Sequence, residues 1–228
     1  MQETTPTPPA WSWTSLNAFQ TCPRRYQLTR VTKALKEPET EVLRWGKAVH
    51  AALEHRVRDG TPLPEGMGQW EKYARWADRL KDQATVATEQ QVALDRDLNP
   101  VDYWDKTAWV RGVFDLALVG KKLAGIWDWK TGKIREGSDQ LKLFAGFAFA
   151  LYPEVQEVKT GYVWLNHMTL TGETYTRDQV PGIWDTFRPT VDRIAIAYAN
   201  DDWPTRPSGL CRNWCPVPRS LCRHSGRT

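Results

Sequence analysis

The chain has 228 residues, 41% of them hydrophobic and 25% charged, which is enough to bury one good core and points to a single globular domain. No apolar run approaches the roughly 18 residues of a membrane-spanning helix, and the start Met-Gln-Glu-Thr-Thr-Pro-Thr-Pro-Pro has no secretory pattern; a cytoplasmic chain with no membrane partner is expected. The net charge of +4 hides an uneven spread. The stretch from Thr4 to Lys36 holds no acid but five bases (Arg24, Arg25, Arg30, Lys33, Lys36), and the stretch from Trp203 to Thr228 holds no acid but five arginines (Arg206, Arg212, Arg219, Arg223, Arg227).

In chain order, a Pro-rich tail over 1–10 precedes a helix that Ser15 would cap, running through Leu16 and Phe19. Cys22-Pro23 interrupts it before a second helical piece from about Arg24. Residues 41 to 58 read as a stronger helix with Val42, Trp45, Val49, Leu53 and Val57 on one apolar face. After a Gly/Pro loop over 59–68, a polar helix from Gln69 to about Ala84 carries Trp70, Tyr73, Trp76, Ala77 and Leu80 as its stripe. Strands are indicated at 86–94, 109–119 and 122–130, a helix at 137–151, strands at 157–166 and 172–177, and a last helix at 179–199. The order implies an α/β domain with a mixed sheet.

The sharpest chemical signal is Val110-Arg-Gly-Val-Phe-Asp-Leu-Ala-Leu-Val119, followed at once by Gly120-Lys-Lys-Leu-Ala-Gly-Ile-Trp-Asp-Trp-Lys130. Strands joined so tightly are antiparallel neighbours. A four-residue loop from Gly120 to Leu123 sets Val119 against Ala124 and Asp115 against Asp128; a two-residue loop would leave the aspartates on a diagonal. Alternation puts Asp128 and Lys130 on one face and turns Trp127 and Trp129 to the other, where core is the expectation. Opposed carboxylates need a cation. Lys130 would neutralise one as a structural ion pair; alternatively the group holds Mg²⁺ or Mn²⁺, with water and a phosphate completing the shell.

Four cysteines, Cys22, Cys211, Cys215 and Cys222, are too few for a disulfide framework in a chain this size, and a metal site is the better reading. Zinc with four thiolates would suit an isolated structural site, although paired short intervals are its commoner signature. If the thiolates share one centre, ten positive charges gather around it, an electrostatic footprint for nucleic acid. Trp11, Trp13, Trp203 and Trp214 lie in these basic ends, where base stacking is an option.

Gly112-Val-Phe-Asp115 with Ile126-Trp-Asp-Trp-Lys-Thr131 resembles the core of the PD-(D/E)xK nuclease superfamily in its RecB-type branch. Ser12 to Tyr26 resembles that branch's N-terminal cysteine motif, Gly46-Lys-Ala-Val-His-Ala-Ala-Leu-Glu54 its histidine helix, and Gln140-Leu-Lys-Leu-Phe144 its glutamine motif, with Phe where Tyr is usual. The likeness spans about residues 12 to 222 and implies a restriction-endonuclease-like core. It further implies Asp115, Asp128 and His50 as ligands of Mg²⁺ or Mn²⁺, Lys130 as the group that orients or helps deprotonate water, and Gln140 on the scissile strand or water. Glu54, a turn beyond His50, and Glu89, on the strand before the hairpin, are a weak candidate and an expected surface residue.

The four cysteines resemble the 4Fe-4S clasp of the AddB nuclease domain and the four-cysteine CRISPR-associated exonucleases, each late interval being one residue longer here. Such a cluster would join segments 11–36 and 203–228 into one module, the latter being too polar and Pro-rich to fold alone. Arg24, Arg25, Arg212 and Arg219 beside it would bind DNA. The resemblance implies an exonuclease on single-stranded DNA or duplex ends in repair, recombination, phage or CRISPR settings, with a recombinase or helicase as partner. No Walker-type phosphate loop is present, so a fused helicase is excluded within these residues. The rival expectation is a non-catalytic DNA-binding or scaffold protein that keeps the fold.

Overall fold

The computed structural model describes residues 8–37, 39–135 and 139–227. Along the chain it forms α1 (Trp13–Thr21), α2 (Pro23–Tyr26), a π-turn (Gln27–Val31), α3 (Glu41–Asp59), α4 (Glu71–Asp78), β1 (Thr85–Leu94), β2 (Pro100–Val101), β3 (Val110–Val119), β4 (Leu123–Lys130), α5 (Asp139–Leu151), β5 (Glu157–Trp164), β6 (Thr169–Thr176), α6 (Val180–Asn200) and α7 (Leu210–Asn213). The six strands make one mixed sheet in the order β2-β1-β3-β4-β5-β6, with β4 and β5 parallel and the other neighbours antiparallel. The α5 crossover makes that parallel pair possible.

The chain divides into two compact units, one built from both ends (1–39 and 187–228) and one from the middle (40–186). In the middle unit α3 and α4 cover one face of the sheet. Val49, Leu53 and Val57 of α3 and Tyr73, Ala74 and Ala77 of α4 pack with Leu116, Leu118, Trp129 and Val163. Trp129 is thus core as expected, and Trp127 lies so close over Gly161 that a Cβ there would meet its ring at 2.5 Å. On α5, Phe144 and Phe147 stack edge-on against Phe114.

In the unit of the two ends, Phe19, Tyr26, Ile194, Ala197, Tyr198 and Trp203 form a core of their own. Two of the tryptophans considered for base stacking are therefore interior: Trp203 is 7% exposed and Trp11 4%. Trp214 does stand open.

Three element expectations need correction. The cap of α1 is Ser12, not Ser15: Ser15 N–H donates to Ser12 Oγ and Ser12 N–H to Ser15 Oγ, a reciprocal capping box that starts the helix three residues earlier. Val42 and Trp45 share the helical period of the buried α3 residues but stay exposed. The helix after the Gly/Pro loop stops at Asp78, and turns replace its last part. The start of the helix placed at 137 falls outside the described residues; from Asp139 it is helix.

Candidate active site

The β3–β4 hairpin closes as the loop argument required. Val119 pairs with Ala124 and Leu116 with Trp127, so Asp115 and Asp128 stand one step beyond the last paired position. Both carboxylates are buried, at 7% and 4% exposed. The Trp129 N–H donates to Asp115 Oδ2 at 2.8 Å, tying the first aspartate to the strand of the second.

β1 and β3 are irregular at the same place. Thr88 pairs with Leu116 and Gln90 with Phe114, but Glu89, between them, has φ +47° and no ladder partner. On one side of this step Val86 and Leu116 face the α3/α4 layer. On the other, Phe114 packs on α5, and Gln90 hydrogen-bonds Tyr152 just past the end of α5. The strands change faces here, which turns Glu89 and Asp115 toward a common point. Left-handed backbone at a non-glycine costs on the order of 1–3 kcal/mol and persists where surrounding structure imposes it.

α3 brings His50 to that point. Its Nε2–H donates to the Trp129 carbonyl at 2.8 Å, which fixes the ring and aims Nδ1 at the carboxylates. Nδ1 is 3.3 Å from Asp115 Oδ2 and 3.9 Å from Glu89 Oε1. Among the described residues, His50, Glu89 and Asp115 are the set of three potential metal donors whose ligand atoms lie within 4.8 Å of one another. Burial opposes a charged His50, yet hydrogen bonds to Asp115 and Glu89 outweigh it and raise its pKa to about 10. Burial, then the Asp115 charge, raises Asp128 to about 6, against the pull of Lys130. Glu89, expected as a surface residue, is thus a member of the acidic centre. Glu54 lines the same cleft and pairs with Arg58.

Asp128 stands outside the close trio. Lys130 Nζ is 2.6 Å from Asp128 Oδ2, a close ion pair. Gln140 of α5 donates to Asp128 Oδ1 at 2.9 Å, and its Oε1 accepts from Tyr162 OH at 3.1 Å and from Lys130 Nζ at 3.4 Å. The Lys130 ammonium also lies 4.9 Å from the centre of the Tyr162 ring. Tyr162, on β5, is a member that sequence reasoning missed; its parallel pairing with Asp128 is the feature that places it. Imidazole and carboxylate donors so close, with more acid than one lysine balances, suit Mg²⁺ or Mn²⁺.

The cysteines sit in the unit of the two ends. All four are free, and all four line one cavity together with Arg24, Arg25, Arg206 and His224. Ser208 N–H lies 3.4 Å from Cys211 Sγ. Their sulphurs are not drawn into a set within 4.8 Å, so the tight grouping expected of a shared centre is not formed. Arg25 pairs with Glu37 at 2.7 Å, Arg24 with Gln27, and Arg212 and Arg219 are exposed.

A model of the PD-(D/E)XK nuclease superfamily matches residues 10–223. Among solved structures, a candidate exonuclease from Eubacterium rectale aligns over 90% of this chain and 86% of its own, with 10% identity and a TM-score of 0.53. The crystal structure of SSO0001 aligns over 99% of this chain and 91% of its own, with 14% identity and a TM-score of 0.46. No curated protein sequence matches the chain. The mixed six-stranded sheet flanked by helices is the restriction-endonuclease-like α/β fold expected from the sequence.

Proposed function

The chain belongs to the PD-(D/E)XK nuclease superfamily, and from that premise we propose that it is a Mg²⁺- or Mn²⁺-dependent exonuclease acting on single-stranded DNA or duplex ends. The observation that carries this reading is the convergence of His50, Glu89 and Asp115 within 4.8 Å beside the buried Asp128 and the half-buried Lys130 paired with it. His50, Asp115 and Asp128, joined by Glu89, would hold the ion. When bound, a divalent cation polarises the phosphoryl oxygen and lowers the pKa of water to near neutrality.

The residues supply the rest. Lys130 orients the attacking water and offsets charge on the pentavalent phosphorus of the transition state, where a fixed cation in a partly dehydrated site is most effective. Gln140 holds Asp128 by Oδ1, while Oδ2 is paired with the Lys130 ammonium. Trp129 serves both sides of the centre, its N–H held by Asp115 and its carbonyl by His50.

The reading includes a 4Fe-4S cluster on Cys22, Cys211, Cys215 and Cys222. Four free thiols from two distant chain segments around one cavity support it. Arg24, Arg25, Arg212 and Arg219 would add phosphate contacts, and repair, recombination, phage or CRISPR settings, with a recombinase or helicase partner, suit such an activity. The test is Asp128→Asn: Mn²⁺-dependent degradation of end-labelled DNA should fall at least a hundredfold while DNA binding persists. A wild-type protein that degrades no DNA with either ion would favour the non-catalytic DNA-binding or scaffold reading.

A further inference from the structure

The cleft that holds the metal trio has a wall of different chemistry. Val42, Leu43 and Gly46 of α3 line it together with His50, Glu89 and Thr131. Val42 is 75% exposed and Leu43 50%, whereas Val49 and Leu53, further along the same helix, are fully buried. Leu43 is seven residues before His50, hence on the same helical face and about 10 Å away along the axis. Gly46, between them, leaves a trough: a Cβ there would find only Thr131 Oγ1, at 3.8 Å. Val42 and Leu43 thus present aliphatic surface to the cleft that holds the acids.

The reaction itself limits what meets that surface. A phosphate bound at the trio would carry a neighbouring nucleoside within reach of a wall about 10 Å away. A paired base keeps its faces stacked and offers its edges, and an aliphatic wall has no donor or acceptor to meet an edge. An unpaired base offers an apolar face, which leucine and valine can pack against or wedge beside. Arg44 and Lys47, exposed on the same turns, suit the flanking phosphates. We infer that Val42 and Leu43 receive the unpaired nucleobase next to the scissile phosphate, and that this contact selects single-stranded termini over blunt duplex ends. The inference rests on the nuclease reading and names the substrate class of that site.

The experiment compares wild type, the double variant Val42→Ser/Leu43→Ser, and a control, Leu170→Ser, whose side chain is 48% exposed on β6. Each degrades 5′-labelled dT20 and a blunt duplex of the same length with Mn²⁺. The double variant should show a KM for the single strand about tenfold higher with kcat changed less than twofold, in line with the loss of one base contact. The control should match wild type. An unchanged single-strand KM in the double variant, or a wild type that degrades the blunt duplex as readily as the single strand, overturns the inference. Should wild type degrade neither DNA, the nuclease reading fails first. The wall is then decided by fluorescence anisotropy of labelled dT20, where equal affinity of wild type and double variant overturns it as well.

Discussion

Tyr162 does two things to the Lys130–Gln140–Asp128 arrangement, and they can be separated. Its hydroxyl donates to Gln140, whose amide then points at Asp128, and its ring faces the Lys130 ammonium. Neutral hydrogen bonds contribute roughly 0.5–1.5 kcal/mol and desolvated cation–π contacts about 2 kcal/mol. Tyr162→Phe should therefore lower kcat for DNA hydrolysis about three- to tenfold with little change in KM. Tyr162→Leu should lower it further, to about a hundredfold in total, because the ammonium loses its seat as well. Equal kcat in the two variants would show that only the hydroxyl matters. At this scale the sequence exposed Asp115, Asp128 and Lys130, because two adjacent strands and a period of two fix their relation. Glu89 and Tyr162 were hidden for a different reason. Glu89 reaches the centre through a left-handed backbone that no glycine announces, and Tyr162 through a parallel pairing some 34 residues from Asp128 in the chain.

Among the elements, the hairpin was the most legible, since turn length alone sets the register of antiparallel strands. The α3 helix was legible in extent but not in burial. Its 3.6-residue period continues from Val57 back through Val42, while its covering layer does not. What holds α3 against α4 is partly polar. Arg56, whose side chain is 15% exposed, pairs with Glu71 and with Asp78, the latter at 3.0 Å. The Arg56 guanidinium holds the Glu71 carboxyl below its ordinary range, and Lys81, then Arg56, does the same for Asp78. Folded carboxylates with lowered pKa values contribute stability that is present above their unfolded values and lost as pH falls through the folded ones. Arg56→Met should thus cost about 2 kcal/mol at pH 7, the scale of charged hydrogen bonds that are partly solvated. In urea denaturation the gap between variant and wild type should narrow as the pH falls below about 4 and should close only once it passes the lowered folded values of Glu71 and Asp78, where both carboxyls are protonated. A gap that stays constant over that range would assign the loss to packing of the Arg56 stem instead.

At the scale of the whole molecule, the two chain ends are joined by more than thiols. Arg24 N–H donates to the Pro204 carbonyl at 3.2 Å, Arg206 Nη1 to the Gln20 carbonyl at 2.7 Å, and Gln27 Nε2 to Asp201 Oδ1 at 3.3 Å. Trp203 closes the set, its ring centre 5.0 Å from that of Tyr198, 5.9 Å from Tyr26 and 6.4 Å from Phe19. Composition points to a cluster as the joint between the ends, because it counts the polar residues after Trp203 but not the aromatics that Trp203 meets. Past Trp203 the balance shifts: Val217 and Ser225 are the buried residues of 205–227. A metal cluster would therefore stabilise that last segment far more than the aromatic core. If the four cysteines hold the proposed cluster, Cys211→Ser should release its iron and raise hydrogen exchange across 205–227 while 13–31 and 187–203 stay protected. Trp203→Ala, which removes a large buried ring at a cost of about 3–5 kcal/mol, should open all three segments together. If Cys211→Ser instead deprotected 13–31 as strongly as 205–227, the aromatic residues would be a lining of the cluster rather than a core in their own right.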